Sequence, residues 1–213
     1  MGTFGAIKGE GWVSGARARG EDEWVGVVRP EYVFARDRHA IAREEAYEIA
    51  REDAIVEGMC GPELRLTDID HEALGAWRST WIGTHPSGAG KWNWPALLES
   101  RLPHRAAVLP IAIWHGSDLC GMAVGHASRH RANGSRHTVT LSYVERRPEP
   151  PDVPLRGSII SIAAAVALSY GLIIGARRVR LRNPDRNLLA YYQSLGFAIV
   201  PSGGIPVYCE REV

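Results

Sequence analysis

The chain has 213 residues, of which 45% are hydrophobic and 23% are charged, a composition typical of a globular protein with one sizeable core. The net charge of +1 gives no sign of a nucleic-acid or membrane surface, so neither is expected as a partner. Cys60, Cys120 and Cys209 have no metal-ligand spacing and no signal peptide is recognisable. These features predict a cytoplasmic protein with reduced thiols and no metal.

The N-terminal part of the chain, residues 1–62, is predicted to be an extension of the main domain. Residues 1–30 are rich in glycine and fit either a flexible arm or a small hairpin. Residues 37–57 contain no glycine or proline and are rich in alanine and glutamate, which predicts a helix. This helix would pack on the domain or on a second subunit, so a homodimer stays open.

The spacing of apolar residues over 63–213 predicts one α+β domain, because segments with the strand period of two residues alternate with segments that have the helical period of about 3.6 residues. In chain order the pattern predicts a strand (63–69), a helix capped by Asp70 and carrying Leu74, Trp77 and Trp81, a short helix (94–102), three antiparallel strands (106–114, 119–126 and 137–144), a long apolar helix from residue 159, a strand (178–182), a short helix around Tyr192, and final strands (197–200 and 206–210).

The apolar stretch over residues 159–176 is uncharged and close to the ~18 residues that a membrane-spanning helix needs. It carries Ser161, Ser169 and Gly171 and much alanine. We therefore expect a buried helix that ends at Gly171, followed by the next strand.

The strand over residues 178–182 (Arg-Val-Arg-Leu-Arg) ends at an Asn-Pro-Asp sequence. Pro184 favours extended geometry for Asn183, and Asp185 can cap a following helix by accepting its free N–H groups. Gly196 is placed to stop that helix in left-handed geometry.

The spacing Tyr192-x-x-x-Gly196-Phe197 resembles the C-terminal signature of the GNAT superfamily of acyl-CoA N-acyltransferases. In that family the full pattern is Asn-x-x-Ala-x-x-x-Tyr-x-x-x-Gly-Phe, and this chain has Asp185 and Leu188 at the two upstream positions. The order of elements over residues 63–213 is also that of the GNAT fold. The resemblance implies a mixed, mostly antiparallel central sheet flanked by helices and splayed between its fourth and fifth strands.

The resemblance also implies acetyl-CoA as the acyl donor. The backbone at Tyr143 and Val144 is expected to pair with the pantetheine arm, and the splayed strands are expected to part just after Tyr143. Unpaired N–H groups at a helix N-terminus are expected to hold the diphosphate. The residues concerned are Arg156, Gly157, Ser158 and Ile159, with Asn187 as a further contact. Ile159 stands where the family has Gly or Ala, and its bulk would crowd a phosphate.

Two catalytic roles follow from the same resemblance. Tyr192 is expected to protonate the departing CoA thiolate as a general acid, and the neighbouring Tyr191 is the weaker candidate. Glu145, at the end of the splayed strand, is expected to accept the proton of the attacking amine. The alternatives for this base are Glu149, His126 and His137.

The acceptor site would lie over the first two helices of the domain, where tryptophans are concentrated. Trp81 and His85 are the predicted acceptor contacts, although aromatic side chains at helical spacing fit a core equally well. The acceptor would be a small-molecule or peptide amine.

These features predict an N-acetyltransferase that moves an acetyl group directly from acetyl-CoA to a primary amine. Two alternatives stay open. The first is a non-catalytic acyl-CoA-binding or interaction module, which the departures of the Pro154–Ile159 loop from the family pattern favour. The second is an acyltransferase toxin that acts on a macromolecular amine, such as a protein or a charged tRNA.

Overall fold

The computed structural model describes residues 30–82, 92–100, 107–128, 138–148, 154–202 and 205–213. The helices are α1 (Pro30–Val56), α2 (His71–Thr80), α3 (Trp94–Glu99), α4 (Ile159–Ile173) and α5 (Leu189–Ser194), the last preceded by a 3₁₀ turn (Arg186–Leu188). The strands are β1 (Leu64–Thr67), β2 (Val108–His115), β3 (Asp118–Ala127), β4 (Thr138–Arg146), β5 (Arg178–Arg182), β6 (Ala198–Ser202) and β7 (Ile205–Glu212).

The seven strands form one sheet in the order β1-β2-β3-β4-β5-β7-β6. All neighbours pair antiparallel except β4 and β5, which run parallel because α4 connects them as a crossover. This mixed, mostly antiparallel sheet with flanking helices is the architecture that the resemblance implied, so the predicted fold class is confirmed.

Each face of the sheet buries its own cluster of side chains. On the α4 face, α1, α4 and α5 cover residues such as Ile111, Ala123 and Leu181. On the opposite face, here called the tryptophan face, α2 and α3 cover Met122 and Val124 with a group of buried indoles. The indoles are those of Trp77, Trp81, Trp94 and Trp114.

Side chains that precede α2 and α3 fix where these helices begin. The carboxylate of Asp70 accepts a hydrogen bond from the backbone N–H of Ala73 over 3.0 Å, as the sequence predicted. The amide oxygen of Asn93 does the same for Ala96 over 3.2 Å, with Pro95 in the first turn of α3.

The helix α1 packs on α4 and β1 through a stripe of small residues. Ala46, Ala50 and Ala54 are fully buried, so the two helices approach closely. At the edge of this contact the guanidinium of Arg43 donates two hydrogen bonds, each 2.9 Å long, to the carboxylate of Asp68. The paired Arg43 and Asp68 join α1 to the end of β1. The division of the chain at residue 62 stays a prediction.

The apolar helix α4 lies between α1 and the sheet. Within the described ranges, no helix is both long and apolar enough to span a membrane. The prediction that this helix ends at Gly171 is wrong, because the helix continues to Ile173 and Gly175 adopts the left-handed conformation with φ 69°. Gly171 is buried in a close contact instead: a Cβ there would lie 3.3 Å from Val213 Cγ2.

Candidate active site

The strands β4 and β5 separate in the middle of the sheet. Their parallel pairing begins with Thr138 opposite Arg178 and ends with Leu141 opposite Leu181. Beyond this point β4 stays paired with β3 as far as Arg146. The strand β5 itself ends at Arg182, so the edge of β4 from Ser142 onward is not covered by β5. This opening lies at the predicted splay between the fourth and fifth strands and is here called the wedge. It starts two residues earlier than the expected point just after Tyr143.

A β-bulge in β4 lies at the start of the wedge. Gly125 and Val124 are consecutive in β3, yet their partners in β4 are Leu141 and Tyr143, so Ser142 is an extra residue. A bulge bends its strand and increases the local twist. The bulge therefore gives a physical reason why β4 turns away from β5 after Leu141.

The bulge also exchanges the faces to which β4 side chains point. Val139 and Leu141 are buried on the α4 face, whereas Tyr143 packs on the tryptophan face and Val144 on the α4 face. In an unbroken strand Tyr143 would share a face with Leu141. Because of the extra residue, the strand end presents Tyr143 and Glu145 to the tryptophan face.

Two tryptophans contact these redirected side chains. The ring of Trp92 lies edge-on to that of Tyr143, with a centroid distance of 4.8 Å and an interplanar angle of 72°. The indole Nε1–H of Trp94 donates a hydrogen bond of 2.7 Å to Oε2 of Glu145. Neither contact is predictable from spacing, although a buried indole usually requires an acceptor nearby.

The hydroxyl of Ser142 is buried at the same place. Its Oγ has no hydrogen-bond partner among the described residues. Buried hydroxyls are nearly always satisfied, so an unpaired one at the start of the wedge is unusual.

Tyr192 lies on the α4 face, on the side of the sheet opposite to Glu145. Its side chain is 6% exposed. Burial raises the pKa of the phenol, and a hydrogen bond with the backbone of Asp185 acts in the opposite direction. Asp185 follows shortly after the end of β5, so this contact relates Tyr192 to the side of the wedge that β5 forms.

The loop before α4 is exposed and partly in an unusual conformation. Leu155 has φ 65°, and the turn is closed by a 2.8 Å hydrogen bond from Ser158 N–H to the Leu155 carbonyl. Arg156 and Gly157 are exposed, and a Cβ added to Gly157 would meet no heavy atom within 4 Å. The first N–H groups of a helix have no partner within that helix. The loop therefore offers positive charge, open space and N–H groups.

Ile159 does not crowd this loop, contrary to the expectation from its size. The residue is 3% exposed, and its Cγ2 lies 2.7 Å from the position that a Cβ of Gly121 would occupy. The side chain therefore points at β3, and the absence of a side chain at Gly121 makes room for it.

The segment from β5 to α5 lies beside the loop that precedes α4. The side chain of Asp185 accepts from the N–H of Asn187 over 2.9 Å, which confirms the predicted cap and leaves Asn187 exposed on the 3₁₀ turn. Asn183 has φ 50°, so the extended geometry expected before a proline is wrong. Asparagine tolerates the left-handed region better than most residues. The hydroxyl of Tyr191 donates to the Gly157 carbonyl over 3.3 Å.

Other predicted site residues lie in the core, lie far from Glu145, or cannot be placed. Trp81 is fully buried and its indole N–H donates to the Leu119 carbonyl over 3.2 Å, so the expected acceptor contact is corrected to a core position. His126 lies opposite Thr140, roughly 13 Å along β3 from the level of Glu145 at about 3.3 Å per residue. His85, Glu149 and His137 lie outside the described residues.

A metal centre has no candidate in the part of the chain that the structure describes. No group of three or more His, Cys, Asp or Glu side chains there could hold an ion. The burial of Cys120 raises the pKa of its thiol to about 11, which suits a core position rather than a reactive thiolate.

No protein-family model and no curated protein matches the sequence. Similar solved structures include the PaiA N-acetyltransferase from Thermoplasma acidophilum in complex with coenzyme A, with 15% identity and a TM-score of 0.46 over 70% of this chain and 99% of that one. Ard1 from Thermoplasma volcanium has 12% identity and a TM-score of 0.49 over 71% and 98%. An acetyltransferase from Thermus thermophilus has 18% identity and a TM-score of 0.49 over 70% and 97%. Likenesses of this size do not establish the activity of this chain.

Proposed function

We propose that the chain is an acyl-CoA-dependent N-acetyltransferase that transfers an acetyl group from acetyl-CoA directly to a primary amine. The observation that carries this proposal is the wedge between β4 and β5. It opens at Ser142 and connects two chemically different faces: Tyr192 and the loop before α4 on one, Glu145 with aromatic rings on the other. The activity is assigned to residues 63–213, with residues 1–62 as an extension.

Acetyl-CoA would be bound by backbone groups more than by side chains. The N–H groups at the start of α4 and the guanidinium of Arg156 would hold the diphosphate, because a helix N-terminus carries a partial positive charge. Gly157 leaves the space open and Ile159 is turned into the core. The edge of β4 beyond Leu141, which β5 does not cover, would pair with the pantetheine amides as an added strand does.

The chemistry requires two proton movements, and the two faces supply one group for each. Glu145 would accept the proton of the amine as its nitrogen bonds to the acetyl carbon, and Tyr192 would donate its proton to the sulfur as the C–S bond breaks. A tyrosine hydroxyl is protonated at neutral pH, as a proton donor must be, and the burial of Tyr192 raises its pKa further. The backbone N–H of Val144 would polarise the thioester carbonyl.

The acceptor is proposed to approach from the tryptophan face. Tyr143 and Trp92 are partly buried there beside the carboxylate of Glu145. A negative group beside aromatic rings favours a positively charged amine, because rings attract cations through their electron-rich faces. A small-molecule or peptide primary amine fits this description.

Acetyl-CoA binding can be tested with two matched substitutions, each of which replaces a glycine by a glutamate. Gly157→Glu adds a negative charge at the loop before α4, and Gly75→Glu adds the same charge on the surface of α2, where a Cβ likewise meets no heavy atom within 4 Å. Calorimetric titration with acetyl-CoA should show binding to the unaltered protein and to Gly75→Glu, with at least tenfold weaker binding to Gly157→Glu. Equal affinities in all three would contradict the assigned loop.

Catalysis is tested separately by the release of free CoA thiol over a panel of amines. The panel should include polyamines, amino acids and peptides with free N-termini. Amine-dependent thiol release would support an acetyltransferase. Tight binding without release from any amine would instead favour the non-catalytic acyl-CoA-binding module.

A further inference from the structure

The carboxylate of Glu145 accepts a hydrogen bond from an indole that is itself fully buried. Trp94 is fully buried and opens the helix α3, whose first turn is fixed by the Asn93 cap and by Pro95. Its Nε1–H donates to Oε2 of Glu145 over 2.7 Å. The bond joins α3 to the end of β4 just beyond the bulge.

An indole differs from most side-chain partners because it can only donate. Its single N–H cannot accept a proton or exchange roles. A donor bond to a carboxylate stabilises the ionised form more than the protonated one. Trp94 therefore favours the form of Glu145 from which a base has to start, and the bond weakens once the proton has arrived.

The hydrogen bond also fixes the face of the sheet on which the carboxylate of Glu145 lies. Beyond the bulge, side chains of β4 alternate between the two faces of the sheet, and a glutamate has three rotatable bonds with which to leave its position. The buried ring keeps the carboxylate on the tryptophan face, level with Met122 of β3.

We infer that Trp94 is a positioning residue for the acyl-transfer reaction, acting through Glu145. This inference rests on the proposed function, since it assigns to Glu145 the role of proton acceptor. Trp94 touches neither the acetyl group nor the amine. It holds the carboxylate in place and in its ionised form.

The test compares two buried tryptophans. Trp94→Phe removes the N–H and keeps an aromatic ring, and Trp81→Phe makes the same change at an equally buried ring whose N–H donates to a backbone carbonyl. Both variants leave a similar cavity and should lose a similar amount of thermal stability. A purely structural role for Trp94 predicts that the two also behave alike in catalysis.

We expect them to differ in the pH–rate profile of amine acetylation. In Trp94→Phe the acidic limb of kcat should move to higher pH by about one unit, and kcat at neutral pH should fall about tenfold, because the ionised carboxylate has lost a donor. The KM for acetyl-CoA should stay unchanged. In Trp81→Phe the limb should not move. Equal profiles in the two variants would overturn the positioning role.

A second measurement does not depend on turnover. The indole N–H signal of Trp94, assigned by its loss in Trp94→Phe, should shift with pH in the ¹⁵N–¹H spectrum of the unliganded protein and should stop shifting in Glu145→Gln. A signal that does not respond to Glu145→Gln would show that the contact is absent in solution and would overturn the inference. If the signal responds but no amine is acetylated, the proposed function has failed and the positioning role fails with it.

Discussion

Gly121 of β3 and Ile159 of α4 are complementary in shape: a Cβ on the glycine would lie 2.7 Å from Cγ2 and 2.9 Å from Cδ1 of the isoleucine. The isoleucine occupies the space that the missing side chain leaves. It thereby seats the first turn of α4 on the sheet, directly beside the loop proposed to hold a diphosphate.

This complementarity predicts a non-additive pair of substitutions. Gly121→Ala should destabilise the protein by about 1–3 kcal/mol through overpacking, and Ile159→Ala by about 2–4 kcal/mol through a cavity. In the double variant the alanine partly fills the cavity, so the loss should be smaller than the sum. Urea denaturation measures all three free energies of unfolding.

The same variants separate packing from ligand binding. Because the Ile159 side chain points away from the loop, Ile159→Ala should leave the affinity for acetyl-CoA within about twofold of the starting value. A large gain in affinity would mean that this side chain does obstruct the site.

Sequence periodicity was sufficient for the order of elements because each element has one dominant signal. The alternation Arg-Val-Arg-Leu-Arg became β5, with Val179 and Leu181 buried. Gly196 adopts the predicted left-handed conformation with φ 81°, and Asp185 forms the predicted cap. These features depend on a few neighbouring residues, so local sequence is enough to predict them.

The bulge could not be predicted, and the site depends on it. The sequence alternates from residue 138 to residue 143 and then places two apolar residues side by side, Tyr143 and Val144. Such a pair fits the end of a strand as well as a bulge, and Ser142 is small and polar enough to fit either face. Whether β4 carries an extra residue is decided by its register with β3, which is a property of two strands. For this reason the expected parting point was two residues late, and the contact between Trp94 and Glu145 could not be foreseen.

The sequence also could not predict which side chains point into the core and which point towards the site. Trp81 and Trp92 are both tryptophans near the predicted acceptor site, yet one is fully buried and the other is partly exposed beside Tyr143. Their spacing fits a core and a binding surface equally. Only the position of each ring relative to the sheet distinguishes them.

The unpaired hydroxyl of Ser142 predicts that its removal weakens acetyl-CoA binding without destabilising the protein. A buried polar atom without a partner is costly, so Ser142→Ala should leave the unliganded protein equally stable or up to about 1 kcal/mol more stable. If the hydroxyl bonds to the donor molecule, the same change should weaken acetyl-CoA binding about three- to tenfold.

A matched serine provides the control for this stability effect. The hydroxyl of Ser161 is satisfied by the Ser158 carbonyl over 2.9 Å, so Ser161→Ala should destabilise the protein by about 0.5–1.5 kcal/mol. Urea denaturation and calorimetry measure the two properties. A loss of stability in Ser142→Ala as large as that in Ser161→Ala would show that Ser142 has a partner in solution.

The contact between Tyr170 of α4 and His39 of α1 predicts that the folded protein loses stability at alkaline pH. Tyr170 is fully buried and its hydroxyl bonds to Nδ1 of His39 over 2.6 Å. Burial raises the pKa of Tyr170 to about 12 from 10.0. The folded state therefore keeps a proton that the unfolded state loses. The free energy of unfolding should be undiminished below pH 10 and should fall by about 2–3 kcal/mol as pH rises to 12.

Urea denaturation between pH 8 and 12 tests this prediction. Tyr170→Phe should be less stable than the starting protein at pH 8 and should lose less stability on going to pH 12. Part of the slope should remain, because burial also raises the pKa of Tyr47 well above its ordinary value. An unchanged slope in Tyr170→Phe would contradict the assignment to this residue.

The adjacent tyrosines of α5 should affect different steps, because their hydroxyls reach different parts of the site. Tyr191 bonds to the Gly157 carbonyl, so Tyr191→Phe should loosen the loop and weaken acetyl-CoA binding about two- to fivefold with little change in kcat. Tyr192→Phe should leave binding intact and lower kcat about 10- to 100-fold. This is the lower end for general acid catalysis, since a thiol of pKa ~8.5 departs readily. Single-turnover rates and calorimetric titration on both variants separate the two effects. Unchanged turnover in Tyr192→Phe would remove the proton-donor role and leave Tyr192 as a core residue.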